Sequence, residues 1–114
     1  AIALTTDSSI LTASGNDNGF ESIFARQVAA LGQQGDLLVG ISTSGKSANV
    51  VAALKAAQDS RLNTMAWCGP QGGPVTDGAD HVFAAPGAST ARIQECHLLV
   101  GHILCDLVEE HFAS

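Results

Sequence analysis

The chain has 114 residues, 46% of them apolar and 14% charged, which suits one domain able to bury a core and excludes a disordered segment. Its net charge of -6 argues against the basic face that nonspecific nucleic-acid binding needs, and no apolar stretch reaches the roughly 18 residues of a membrane span. No basic-then-apolar leader is present, and Cys68, Cys96 and Cys105 form an odd, unpaired set, so a cytoplasmic protein with reduced thiols and no membrane or nucleic-acid partner is expected.

Ala1 to Leu4 reads as a strand. Asp7 or Ser8 is placed to cap a short helical piece, Ile10 to Ala13, and Gly15-Asn-Asp-Asn-Gly19 reads as a loop. Phe20 to Leu31 has the spacing of an amphipathic helix, with Phe20, Ile23, Phe24, Val28 and Leu31 on one side and Gly32 as its stop. The apolar run Leu37 to Ile41 predicts a buried strand, and Ala48 to Ala57 a helix with Val50, Val51, Leu54 and Ala57 inward. Asn63 to Cys68 is the next strand, Gly69 to Pro74 a turn-rich loop, Val75 to Ala79 a single helical turn and His81 to Ala84 a short strand. A long helix from Thr90 or Ala91 to about Phe112 closes the chain, with Thr90 as its cap. Its apolar residues spread over much of its surface, which calls for burial on more than one side, partly by another subunit. Strands alternating with helices predict an α/β three-layer sandwich around a mostly parallel sheet, with four strands in this chain.

The chemistry concentrates between the second strand and the helix after it. Ser42, Thr43, Ser44 and Ser47 crowd a loop that contains Gly45 and opens a helix. The first turn of a helix has unpaired N–H groups and a partial positive charge, and hydroxyls add donors that rotate to fit phosphate oxygens. The spacing is not that of a Walker loop, so a sugar phosphate suits it better than a nucleotide. The plainer alternative makes Ser47 an N-cap and the other hydroxyls turn formers. A zinc cluster from Cys96, His97, His102 and Cys105 fails on geometry, since Cys96 and Cys105 point to nearly opposite sides of one helix.

Gly40-Ile-Ser-Thr-Ser-Gly-Lys-Ser-Ala-Asn49 resembles the phosphate loop of the sugar isomerase (SIS) domain family. Asp17 in its Gly/Asn segment, Ala91-Arg-Ile-Gln-Glu-Cys-His97 and Gly101-His-Ile-Leu-Cys105 narrow the likeness to bacterial phosphoheptose isomerases. That resemblance implies a single SIS domain over residues 1–114, of flavodoxin-like fold. It implies an isomerase that interconverts sedoheptulose 7-phosphate and D-glycero-D-manno-heptose 7-phosphate in lipopolysaccharide biosynthesis, commonly as a homotetramer. It also implies that the chain is the C-terminal part of such a protein. The family's Gly-Asn-Gly-Gly-Ser loop and the helix bearing its catalytic Glu have no counterpart here, so these residues alone are expected not to isomerise at an enzymic rate.

Carried over residue by residue, the resemblance makes Ser42, Thr43, Ser44 and Ser47 the phosphate ligands and Asp17 a sugar contact. His102 becomes an acid–base residue, and Gln94 with His102 two ligands of a zinc ion. Gln94 and His102 stand about 12 Å apart along a helix axis and about 80° around it, so they reach one ion only at full stretch. His97 lies about 140° round from His102 and cannot share its site on one subunit. Lys46 and Ala91 depart from the family, where Asn follows the loop glycine and some members have Asp before the Arg. Arg92 and Glu95 are spaced for an ordinary surface ion pair. The alternative function is a non-catalytic SIS module that binds sugar phosphate or a replication initiator. The initiator-binding relative lacks the His at position 102, so His102 favours the enzyme.

Overall fold

The computed structural model describes residues 1–113; Ser114, the last residue of the expected domain, lies outside them. Helix α1 (Ser8–Asn18) is followed by a 3-10 turn (Phe20–Ser22) and α2 (Ile23–Leu31). Strand β1 (Leu37–Ser42), helix α3 (Ala48–Asp59) and strand β2 (Asn63–Cys68) come next. A 3-10 turn (Pro74–Thr76), strand β3 (His81–Ala84) and the long helix α4 (Thr90–Phe112) complete the order. The three strands form one parallel sheet in the order β1-β2-β3. The register sets Ile41 beside Trp67 and Trp67 beside Phe83. The fold class is the expected α/β arrangement, with three strands rather than four.

The missing strand is the first one. Ala1 to Leu4 carries no strand pairing and turns at Leu4. Its backbone is held by side chains instead: Gln27 Nε2 donates to the Leu4 carbonyl at 3.0 Å, and Thr6 Oγ1 donates to the Ala3 carbonyl at 3.2 Å. Leu4 packs on the cluster of Val28, Ala53, Ala57 and Leu62. A strand needs a ladder partner for its N–H and C=O groups, and here Gln27 supplies the bond.

The expected loop at Gly15–Gly19 is also corrected. Gly15, Asn16, Asp17 and Asn18 are the last turn of α1, and the stop falls at Gly19, with φ 87°. Asp7 is the cap: its carboxylate accepts the Ile10 N–H at 3.0 Å. Phe20 stays largely exposed, because the segment 20–22 is a 3-10 turn whose side chains do not follow the α-helical stripe. At α4 the cap is Ser89, not Thr90; Ser89 Oγ accepts the Arg92 N–H at 3.5 Å.

The core lies between α2, α3 and one face of the sheet. Leu54, Ala66, Cys68 and Val75 form one buried cluster, with Val50 and Leu38 packed against it. Gly40 is the close approach: a Cβ there would sit 3.0 Å from Val50 and 3.1 Å from Leu54. The other face is less covered than a strand buried on both sides requires. Leu37, Val39 and Ile41 are 52%, 37% and 50% exposed. Side chains alternate across a strand, so α3 covers only the Leu38–Gly40–Ser42 side of β1. A groove of about 710 Å³ runs between residues 1–5, Leu31 and the open side of β1.

A clasp joins the start of β2 to the residue before β3. Asp80 Oδ2 accepts the Thr64 N–H at 2.8 Å and the Thr64 hydroxyl at 2.9 Å, and the Asp80 N–H returns a bond to Thr64 Oγ1 at 3.1 Å. The backbone N–H of Thr64, and then its hydroxyl, hold the Asp80 carboxyl below the usual carboxylate value. A lowered carboxylate stabilises the fold above its unfolded value of 3.8, and that stability is lost as pH falls through the lower folded value. Wild type should therefore have a higher urea midpoint than Asp80→Asn at about pH 6, with the gap closing at about pH 3. A gap that stays constant with pH would contradict this.

Candidate functional site

The loop from Ser42 to Ser47 is built from its own hydroxyls. Ser42 is buried at the end of β1, and its Oγ lies 2.8 Å from Ser47 Oγ and 3.4 Å from Ser44 Oγ. The Ser47 N–H donates to Ser42 Oγ at 3.4 Å, and the Lys46 N–H to Ser44 Oγ at 3.2 Å. The Gly45 N–H donates to the Ser42 carbonyl at 2.9 Å, which closes the turn. Thr43 is half-buried, and its carbonyl accepts the Gly69 N–H at 3.1 Å.

One glycine lets this turn exist. Gly45 has φ 69°, and a Cβ there would run into the Gly72 carbonyl. The Val75 N–H donates to the Gly45 carbonyl at 3.1 Å, so the 69–75 segment braces the loop from behind.

Ser47 occupies the N-cap position of α3, but its side chain makes no capping bond. Its hydroxyl turns to Ser42 instead. The plain capping reading of Ser47 is therefore not what the loop shows. The α3 terminus keeps its partial positive charge and lacks a cap from Ser47, while Asn49 Oδ1 takes the Val50 N–H at 2.9 Å. Hydroxyls beside a helix terminus that Ser47 does not cap suit an anion. Lys46 is exposed beside them.

The remaining expected site residues are placed on two other helices. Asp17 is exposed near the end of α1, accepts a bond from Asn16 Nδ2 at 2.9 Å, and lines a cleft of about 290 Å³ with Ser14, Asn18 and Arg26. Gln94 and His102 are both exposed on α4. Among the described residues no hydrogen bond joins Asp17, Gln94 or His102 to the serine loop. The structure thus assembles Ser42, Ser44 and Ser47 directly and leaves the other three separate. Arg92 and Glu95 form the expected ion pair.

Sequence reasoning set His97 aside, and the structure buries it at 5% exposure. Its Nε2 is 3.0 Å from the Cys68 carbonyl, and its ring lies 5.9 Å from those of Trp67 and Phe83. Burial pushes the Cys68 thiol above its ordinary value.

A zinc ion is not completed by these residues. Zinc takes four ligands, chiefly Cys, His and carboxylates. Among the described residues no group of three or more His, Cys, Asp or Glu side chains is arranged to hold a metal. Gln94 and His102 supply two donors at most.

The SIS domain family matches residues 1–69, which include the whole serine loop. The chain belongs to the SIS domain family. The SIS match stops at Gly69, and the likeness of the rest comes from individual relatives. Over 110 residues the chain is 57% identical to the phosphoheptose isomerase of Aquifex aeolicus (strain VF5), covering 96% of this chain and 58% of that protein. It is 53% identical to the phosphoheptose isomerase of Roseiflexus sp. (strain RS-1) over 109 residues, covering 96% of this chain and 55% of that one. The solved phosphoheptose isomerase GmhA from Neisseria gonorrhoeae superposes with a TM-score of 0.93 at 50% identity, over 96% of this chain and 61% of that chain. A phosphoheptose isomerase from Francisella tularensis gives 0.93 at 42%, over 96% and 59%. This SIS chain therefore spans just over half the length of the curated relatives it matches. Among the described residues no helix is long and apolar enough to cross a membrane.

Proposed function

We propose that this SIS chain supplies the phosphate loop and one acid–base residue of a phosphoheptose isomerase. The substrate is sedoheptulose 7-phosphate and the product D-glycero-D-manno-heptose 7-phosphate, in heptose and lipopolysaccharide biosynthesis in the cytoplasm. The observation that carries the reading is the serine loop, set against an α3 terminus that Ser47 does not cap. The likeness to named phosphoheptose isomerases over 96% of the chain supports a heptose phosphate as the sugar.

The isomerisation moves one proton from C1 of the ketose to C2, with a hydroxyl proton passing from O1 to O2 through an enediol. Ser42, Thr43, Ser44 and Ser47 hold the phosphate, so the sugar's far end is fixed while C1 and C2 react. Asp17 binds a sugar hydroxyl. His102 moves a proton at the reacting carbons, and Gln94 orients the substrate beside it. The resemblance puts the partner base on a Glu with no counterpart in this sequence. Gln94 and His102 would supply two ligands of a zinc ion, and the remaining donors would come from outside these residues.

The exposed apolar side chains of α4 support assembly with another subunit, which the resemblance makes a homotetramer. Leu98, Leu99, Ile103, Leu107, Val108 and Phe112 are each at least 47% exposed on one helix, more than a monomer leaves to water without use.

The test is a chimera in which this chain replaces the matching 110 residues of the Aquifex aeolicus relative. Conversion of sedoheptulose 7-phosphate by the chimera is expected. A folded, oligomeric chimera that binds the substrate without converting it would favour a non-catalytic module.

A further inference from the structure

Helix α4 is 23 residues long, yet its buried residues are Ile93 and His97 alone. Ile93 Cδ1 reaches the space a Cβ would take on Gly69, at 2.9 Å, and the Thr43 carbonyl fills the same space at 2.7 Å. Further along, Gly101 faces Trp67, and a Cβ there would make ordinary contact with the indole at 3.7 Å. His97 makes the polar contact in this seam. A carbonyl can only accept, so Nε2 carries the hydrogen and donates to Cys68 O. The same carbonyl accepts the Ala85 N–H at 2.9 Å, and the next residue, Gly69, donates to Thr43. One short path thus runs from α4 through Cys68 and Gly69 to the serine loop.

We propose that His97 is a positioning residue: its bond to the Cys68 carbonyl sets α4, with Gln94 and His102, in register with the phosphate loop. Trp67, tilted by 42°, and Phe83, in an edge contact at 63°, fix the imidazole ring, and the buried hydrogen bond fixes the helix along its axis. Apolar contact at Ile93 alone is non-directional and tolerates sliding. The consequence for the sugar rests on the isomerase reading above; the mechanical link from His97 to the loop does not.

The test uses the 114-residue chain with His97→Leu, which fills the volume without a donor, and His97→Gln, which restores one. Inorganic phosphate and sedoheptulose 7-phosphate are the probes, and backbone amide shifts are followed by NMR. In His97→Leu the amides of Thr43 and Gly69 should shift, and sedoheptulose 7-phosphate should bind about tenfold more weakly, as expected for one buried hydrogen bond. Inorganic phosphate should bind as in wild type. His97→Gln should recover the sugar phosphate to within about threefold. Unshifted Thr43 and Gly69 amides in His97→Leu, or equal losses in both variants, would overturn the proposal. Wild type that binds neither probe would remove the isomerase reading, and the amide shifts would still decide whether His97 braces the loop.

Discussion

In the chimera, His102→Ala is expected to lower kcat by about 10²- to 10⁴-fold, the range for losing a positioned acid–base group. In the isolated chain the same substitution should change stability by no more than about 0.5 kcal/mol, because His102 is exposed there on α4. The split between the two readouts carries the argument. A residue that serves only the interface would weaken oligomerisation and leave the residual rate per assembled protein near normal. A residue that moves a proton would leave assembly intact and remove turnover. The binding of sedoheptulose 7-phosphate should fall far less than kcat, since in the proposed reading the serine loop, and not α4, holds the phosphate. Equal kcat in His102→Ala and the parent chimera would remove His102 from the mechanism.

The second large effect is at Gly45. Gly45→Ala places a Cβ on a residue with φ 69°, which costs about 1–3 kcal/mol, and drives it into the Gly72 carbonyl, which adds about 1–3 kcal/mol. Gly35→Ala is the control. Gly35 also has a positive φ, 93°, but nothing lies within 4 Å of the added Cβ. Both variants should lose stability in urea, Gly45→Ala by more. Only Gly45→Ala should lose phosphate binding, because only there does relief of the clash open the turn that carries Ser44 and Ser47. Phosphate affinity should be compared well below either urea midpoint. Equal phosphate binding by both variants would show that the turn does not shape the site.

The strand–loop–helix at 37–59 was legible because its three signals agree. The apolar run, the hydroxyl-rich turn and the 3.6-residue spacing of Val50, Leu54 and Ala57 all point the same way. The long span of α4 and its apolar surface were legible for the same reason. The end of α1 was not. Gly15, Asn16, Asp17 and Asn18 are poor helix formers, and only the cap at Asp7 and the stop at Gly19 show that the helix runs through them. Ala1 to Leu4 has strand composition, but pairing depends on a neighbour, and its bond to Gln27 spans 23 residues. The open side of β1 was hidden because an apolar run reads alike whether one face or both are covered.

The site divides the same way. Ser42, Ser44 and Ser47 are near in sequence and meet in space. Their proximity was visible, but the turn of the Ser47 hydroxyl from its helix toward Ser42 was not. His97 was read as pointing away from His102, which set it aside. Its partner carbonyl is 29 residues earlier, so no local pattern reveals the bond. The one available signal was a histidine in register with Ile93 on a helix that otherwise buries little.

The central claim is that the turn from Ser42 to Ser47 binds the phosphate of a sugar. Its most direct test is a titration of the chain with sedoheptulose 7-phosphate while backbone amide shifts are followed by NMR. The account predicts saturable shifts centred on Ser44 through Asn49, reproduced by inorganic phosphate and abolished in Ser42→Ala/Ser47→Ala. Shifts confined to the cleft beside Asp17 and Arg26, or no saturable shift at all, would contradict it.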